Sequence, residues 1–284
     1  MWPLKEGKPV REAVEFLEYG KDNYWTGDKM VEHTIKTALP IFQYAFPGCR
    51  GLWAFDNATN HSSYDPQALV ASRMSLNSGG SQARMKEGFD YNRGLPQAMV
   101  YPDNHRNPSL RGQAKGLKQV LEERGLWRQW RSDGRKFLLQ CPTSFGRAGC
   151  PSPGEMPEGG CCARTLMASQ RDFREQKGWL QELLEQAHQE VIFYPKFHCE
   201  LNFIERFWCG AKFCSREHCG YSFESLREVL PAALDSVSTV SIYRYYCHSM
   251  RILNAYSNGL SYGTKEFVDK VYKGHRQVVD KTKW

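Results

Sequence analysis

Hydrophobic positions along this chain follow two rhythms, and the switches between them mark where elements begin and end. Residues 28–46 carry Met30, Val31, Thr34, Ile35, Ala38, Ile41, Phe42 and Ala45 at helical spacing, which predicts a helix with Asp28 as N-cap and a kink at Pro40. Pro47-Gly48 then turns the chain into an apolar run over 51–55 that ends in Asp56. That is the pattern of a buried strand delivering an acid at its C-terminal edge. A second strand-like run over 191–194 is broken by Pro195, and a helix opening near Asn202 carries Glu205 in its first turn. Leu201, Ile204, Trp208 and Ala211 have the rhythm of a buried face, which sets Glu205 at the edge of the core. Further helices are predicted over 113–124, stopped by Gly125, over 169–188, over 222–237, and over 239–258, ended by Gly259. Between 75 and 94 Ser, Gly, Asn and Gln dominate with few large apolar side chains, which predicts a mobile loop.

Composition bounds the picture without deciding it. With 284 residues, 41% hydrophobic, the chain can bury one substantial core or two small ones. No apolar run approaches a membrane span and Met1-Trp2-Pro3-Leu4-Lys5-Glu6 has no signal-peptide core, so neither a membrane nor secretion is expected. A net charge of +7 favours polyanionic partners. Over residues 111–136 eight Lys/Arg face three acids and interleave with Trp127 and Trp130, a mixture that tracks phosphates and stacks on bases. Arg111, Lys115, Lys118, Arg128 and Arg131 are candidate DNA contacts there, with a solvated amphipathic helix as the alternative. The basic tail adds Lys273 and Arg276, with a solvated surface helix as the alternative.

Ten cysteines pose a choice between disulfide, metal and burial. A chain with no secretory signal is expected to keep its thiols reduced. Cys141, Cys150, Cys161 and Cys162 fall in a Pro/Gly-rich stretch whose spacings match no standard zinc-finger register. They are candidate Zn²⁺ ligands, against a reading as reduced cysteines in a loop. Cys214 and His218 have the i, i+4 spacing of one helix face, but with Cys209 and Cys219 they read as small buried side chains.

The segments from Leu52 to His61 and from Phe193 to Trp208 together resemble the catalytic domain of DDE transposases of the mariner superfamily, especially its fungal relatives. In that family the second catalytic Asp opens an Asp-Asn-x-x-x-His segment. The third acid ends an Asp/Glu-Leu-Asn-x-Ile-Glu segment that leads into a helix with Trp. Asp56 and Glu205 hold those two positions. The resemblance implies an α/β fold: an incomplete RNase H-like core, a mixed sheet flanked by helices, with a large insertion and a helical C-terminal region. Residues 1–24 would be a remnant preceding the core, 25–220 the core including an insertion over 63–188, and 221–284 the helical, basic C-terminal region.

On the same resemblance, Asp56 and Glu205 hold Mg²⁺ or Mn²⁺ and catalyse DNA cleavage and strand transfer. Asn57, His61 and Asn202 orient the acids or touch phosphate. The implied partner is DNA, both transposon ends and target, with a homodimer and a nuclear location. Three departures stand out. Phe203 replaces the usual Pro, a long insertion separates the acids, and the segment before Asp56 offers no candidate for the first Asp of the triad. The expectation is therefore an N-terminally truncated copy that is inactive or nearly so. The alternatives are a non-catalytic nuclear DNA-binding protein derived from a transposase, and a zinc-stabilised interaction module centred on Cys141 to Cys162.

Overall fold

The computed structural model describes residues 4–5, 8–9, 14, 16, 24–132, 134–141, 149–150 and 160–273, and is mixed α/β with small sheets. In chain order the elements are β1 Leu4–Lys5, β2 Lys8–Pro9, α1 Gly27–His33, α2 Leu39–Ala45, β3 Leu52–Phe55, β4 Gly88–Asp90, β5 Leu95–Gln97 and α3 Leu117–Glu123. There follow α4 Ala163–Ala168, α5 Arg171–Arg174, α6 Trp179–Gln186, β6 Glu190–Phe193, α7 Ile204–His218, α8 Phe223–Asp235, α9 Thr239–Ser257 and α10 Lys265–Val268. They form two compact units: Met1–Gly51 with Thr59–Gln189, and Leu52–Ala58 with Glu190–Trp284.

In the first unit the helix predicted over 28–46 exists with two changes. Thr26, not Asp28, is its N-cap, its hydroxyl accepting from the Lys29 N–H at 3.4 Å. A π-turn over Thr34–Ala38 precedes Pro40 in a backbone that stays helical through Ala38 and Leu39, and this widened turn accommodates a proline inside the helical run. The core gathers around one face of α3: Leu117, Val120 and Leu121 are fully buried against Leu69, Met74, Met85, Met99, Phe137, Met167 and Phe173. Burying each such side chain contributes about 1.5–3 kcal/mol. Gly125, at φ 71°, ends the helix as the sequence predicts.

The polar stretch expected to be a mobile loop is ordered. Gln82 accepts from the Ser75 N–H at 2.9 Å and donates to the carbonyls of Asn77 at 2.9 Å and Gly79 at 2.7 Å. Met85 is buried, and β4 pairs antiparallel with β5. Side-chain-to-backbone bonds organise this segment, and they leave no hydrophobic period to read. The helix predicted over 169–188 is split into α5 and α6. Asp172 on α5 forms a two-pronged ion pair with Arg124, at 3.0 and 2.7 Å, with the two side chains 6% and 1% exposed. It also accepts from the Phe89 N–H at 3.0 Å, fixing β4.

In the second unit β3 and β6 pair in parallel, from Leu52 opposite Glu190 to Phe55 opposite Phe193. The strand expected to be buried instead alternates exposed and half-buried residues, because a two-stranded ribbon has too little cover. The core is small: Leu201, Ile252, Ala255, Phe267 and Val271. Of the α7 face expected to be buried, Leu201 and Ala211 are, whereas Ile204 and Trp208 are exposed. Ser222 and Ser238 cap α8 and α9 through their hydroxyls, close to the predicted helix starts.

Candidate functional site

Parallel pairing brings the C-terminal ends of β3 and β6 side by side. The Tyr194 N–H continues the ladder to the Phe55 carbonyl at 2.8 Å. Beyond it the chain leaves both strands at the same edge, where α/β sheets place their sites. Pro195 cannot extend the ladder. The Asn57 amide donates to the Tyr194 carbonyl and ties the two exits together. From Pro195 the chain passes Phe197, in the left-handed region at φ 66°, and a single turn over Cys199–Leu201 before entering α7.

These exits and the start of α7 enclose an open cleft of about 340 Å³, lined by Asp56, Asn57, Tyr194, His198, Asn202 and Glu205 among others. Asp56 is half-buried, and its Oδ1 accepts from the Ala58 N–H at 3.0 Å, a local turn that holds the side chain at the strand's end. Glu205 is exposed in the first turn of α7, where a carboxylate is favoured by the unsatisfied backbone N–H groups. Asp56, Asn57, Asn202 and Glu205 bring side-chain oxygens to the lining, the donor type that Mg²⁺ and Mn²⁺ take, but the His, Cys, Asp and Glu group that lies close enough to share an ion among the described residues is a set of cysteines elsewhere in the chain. His61, read from the sequence as a neighbour of Asp56, belongs to the first unit and is not among the residues lining the cleft.

One residue in the lining escaped the sequence reading. His198 places Nδ1 2.7 Å from Glu200 Oε1, and Tyr256 donates to the same oxygen at 2.6 Å. Burial pushes the Glu200 carboxyl up, but the bonds from Tyr256 and His198 outweigh it and hold the group below the usual carboxylate range. Burial and the Glu200 carboxylate together raise the Tyr256 phenol. With Nδ1 engaged by a carboxylate, Nε2 is the ring nitrogen presented for other work. The available signal was His-x-Glu within one short turn; Glu200, which opens the Glu-Leu-Asn-x-Ile-Glu segment, lies against that histidine.

The candidate DNA contacts differ in how far their charges are already engaged. Lys115 is a correction: it is buried, 2.9 Å from Glu123 Oε2, with its ammonium over the Tyr101 ring, so its charge is used internally. Arg128 lies over the Phe137 ring at 4.9 Å and donates to the Gly160 carbonyl. Arg131 is half-buried. Arg111 and Lys118 are exposed, the first donating to the His105 carbonyl and the second 3.8 Å from Glu122. Trp127 packs on the core while Trp130 is exposed. Lys273 ends the last helical turn, and Arg276 lies outside the described residues. The lysine lining the cleft is Lys196.

The cysteines separate into two groups. Cys141, Cys150, Cys161 and Cys162 bring their sulfurs within 4.8 Å of one another, an arrangement that can hold a metal ion such as Zn²⁺. Burial, with the neighbouring Cys161, pushes the Cys141 thiol up to about 12. Cys214 and His218 face each other on α7 at 3.8 Å, but Cys209 is exposed and Cys214 half-buried, so the reading as small buried side chains fails there. Among the described residues no helix is long and apolar enough to cross a membrane. No family model, curated protein or solved structure matches the chain.

Proposed function

We propose that the cleft of the second unit is the metal- and phosphate-binding part of a DDE-type phosphoryl-transfer site, from an RNase H-like transposase lineage, which binds metal and DNA but cleaves weakly. One observation carries this reading: Asp56 and Glu205, far apart in sequence, line one cleft at the C-terminal edge of a parallel strand pair. The acid-bearing segments are also the two that resemble the family's motifs, with one acid ending a strand and the other opening a helix.

Bound between these acids, Mg²⁺ or Mn²⁺ would polarise a phosphate and activate an oxygen nucleophile. The chain's own part is to position. Asp56 is held by its turn to Ala58, and Glu205 by the start of α7. His198, oriented by Glu200, offers Nε2 to a phosphate oxygen, and Lys196 adds positive charge at the rim. Among the described lining residues the carboxylates are Asp56 and Glu205, one fewer than the triad of the family, so turnover is expected to be slow. On this reading DNA is the partner, a homodimer the working form, and the nucleus the compartment.

The test is DNA binding and plasmid nicking in Mn²⁺ and in EDTA. The reading expects tighter binding in Mn²⁺, with any nicking confined to Mn²⁺, and loss of both effects in Asp56→Ala and Glu205→Ala. Salt-sensitive binding that is equal in Mn²⁺ and EDTA would instead support a non-catalytic DNA-binding protein.

A further inference from the structure

The four-cysteine cluster lies in the first unit and plays no part in the reading of the cleft. Its sulfurs lie about as close together as the four ligands of one tetrahedral ion. Sulfurs around one Zn²⁺, each about 2.3 Å from the ion, stand about 3.8 Å apart. Here Cys150 and Cys162 are 4.0 Å apart and all four lie within 4.8 Å. The sulfurs are too far apart to be bonded to one another. Cys141, Cys161 and Cys162 are buried and Cys150 is half-buried, and four protein ligands are the complement of a structural rather than a catalytic zinc.

The surroundings fit a structural ion. The Thr165 hydroxyl lies 3.1 Å from Cys162 and 3.4 Å from Cys161, a partner for the charge that thiolates would carry. Cys162 is the N-cap of α4, and both adjacent sulfurs approach Thr165 in the first turn of that helix. The Ala163 and Arg164 N–H groups donate to Leu138 and Leu139 at 2.9 and 3.0 Å, which brings Cys141 alongside the start of that helix. A soft four-sulfur set selects Zn²⁺ over the hard cations suited to the cleft.

We infer that Cys141, Cys150, Cys161 and Cys162 bind one structural Zn²⁺ that clamps the start of α4 to the segment following Phe137. Phe137, Leu166 and Met167 belong to the main core of this unit, so the ion fastens that core at one corner. Binding replaces thiol protons with the metal and couples its affinity to folding.

The experiment is elemental analysis of the full chain purified with zinc and iron both present in the medium. The inference expects about one zinc per chain and no iron, as one four-ligand site requires. Cys161→Ser and Cys141→Ser should lose the zinc, while Cys49→Ser, at an exposed cysteine outside the cluster, should keep it. If the cluster variants fail to fold, the wild-type protein still decides: titrating its thiols with a mercurial should release the zinc, and Co²⁺ replacement should give the visible spectrum of a tetrahedral thiolate. Chelation under mild denaturant should lower the melting temperature by about 10 °C or more. Zinc near zero, iron in its place, or zinc retained in Cys161→Ser overturns the inference.

Discussion

The two units differ in how they are held. The first wraps a contiguous apolar core around α3, locks it with the buried Arg124–Asp172 pair, and carries the cysteine cluster. The second bears Asp56 at the end of a two-stranded sheet and Glu205 at the start of α7, gathers a small apolar cluster around Ile252 and Phe267, and leaves Trp208, Phe213, Phe223 and Tyr243 on the surface of its helices. Among the described residues, the stretch over 63–188, expected to be an insertion, holds a larger buried apolar cluster than the second unit does. The candidate site sits on the lightly packed part, where chain exits and helix starts can meet a ligand with little to displace.

The sharpest way to break this contrast is to strand the buried charge. Asp172→Ala leaves the Arg124 guanidinium without its carboxylate and is expected to cost about 3–5 kcal/mol in denaturant unfolding. A loss under about 1 kcal/mol, the range of exposed pairs, would mean that the pair does not lock the first unit. Next comes Leu121→Ala, which opens a cavity beside α3 and should cost about 2–5 kcal/mol. Its counterpart in the second unit, Trp208→Ala, removes a larger side chain that is 42% exposed and should cost only about 1 kcal/mol. Equal losses would erase the distinction.

A smaller effect is confined to acid. Because the Glu200 carboxyl is held below its ordinary value in the folded chain, its contribution is fully present above the unfolded pKa of about 4.3 and fades as pH falls through the folded value. Glu123 carries the same sign, burial being outweighed there by Lys115, Gln119 and Gln97. Thermal melts should therefore show Glu200→Gln less stable than wild type at neutral pH, with the gap closing in acid. A gap that widens in acid would reverse the assignment. Smallest of all is Lys36→Ala, which removes an exposed pair with Glu32 and should cost about 0.3–0.5 kcal/mol in the same melts.

Much of the second unit was legible because its elements are periodic and its breakers sit at their ends. β3, β6 and the three long helices lie where the apolar rhythm places them, although the burial expected of β3, Ile204 and Trp208 is not reached, and Pro195 marks the edge where the cleft forms. The first unit hid more. Its order depends on contacts that leave no local pattern: Gln82 bonding backbone, and Arg124 meeting an aspartate 48 residues away. Lys115 was misread for the same reason. A charge run suggests a phosphate track, yet Lys115 closes on Glu123 eight residues further on. His198 was missed because its role depends on Glu200 and Tyr256, and Tyr256 approaches from a distant helix.

The proposed holding of a divalent cation by Asp56 and Glu205 together is tested without requiring turnover by direct Mn²⁺ titration followed by electron paramagnetic resonance. Saturable Mn²⁺ binding by the wild-type chain is expected, lost in both Asp56→Asn and Glu205→Gln while the circular dichroism spectrum is unchanged. Mn²⁺ binding that is absent in the wild type, or that survives both substitutions, would contradict it.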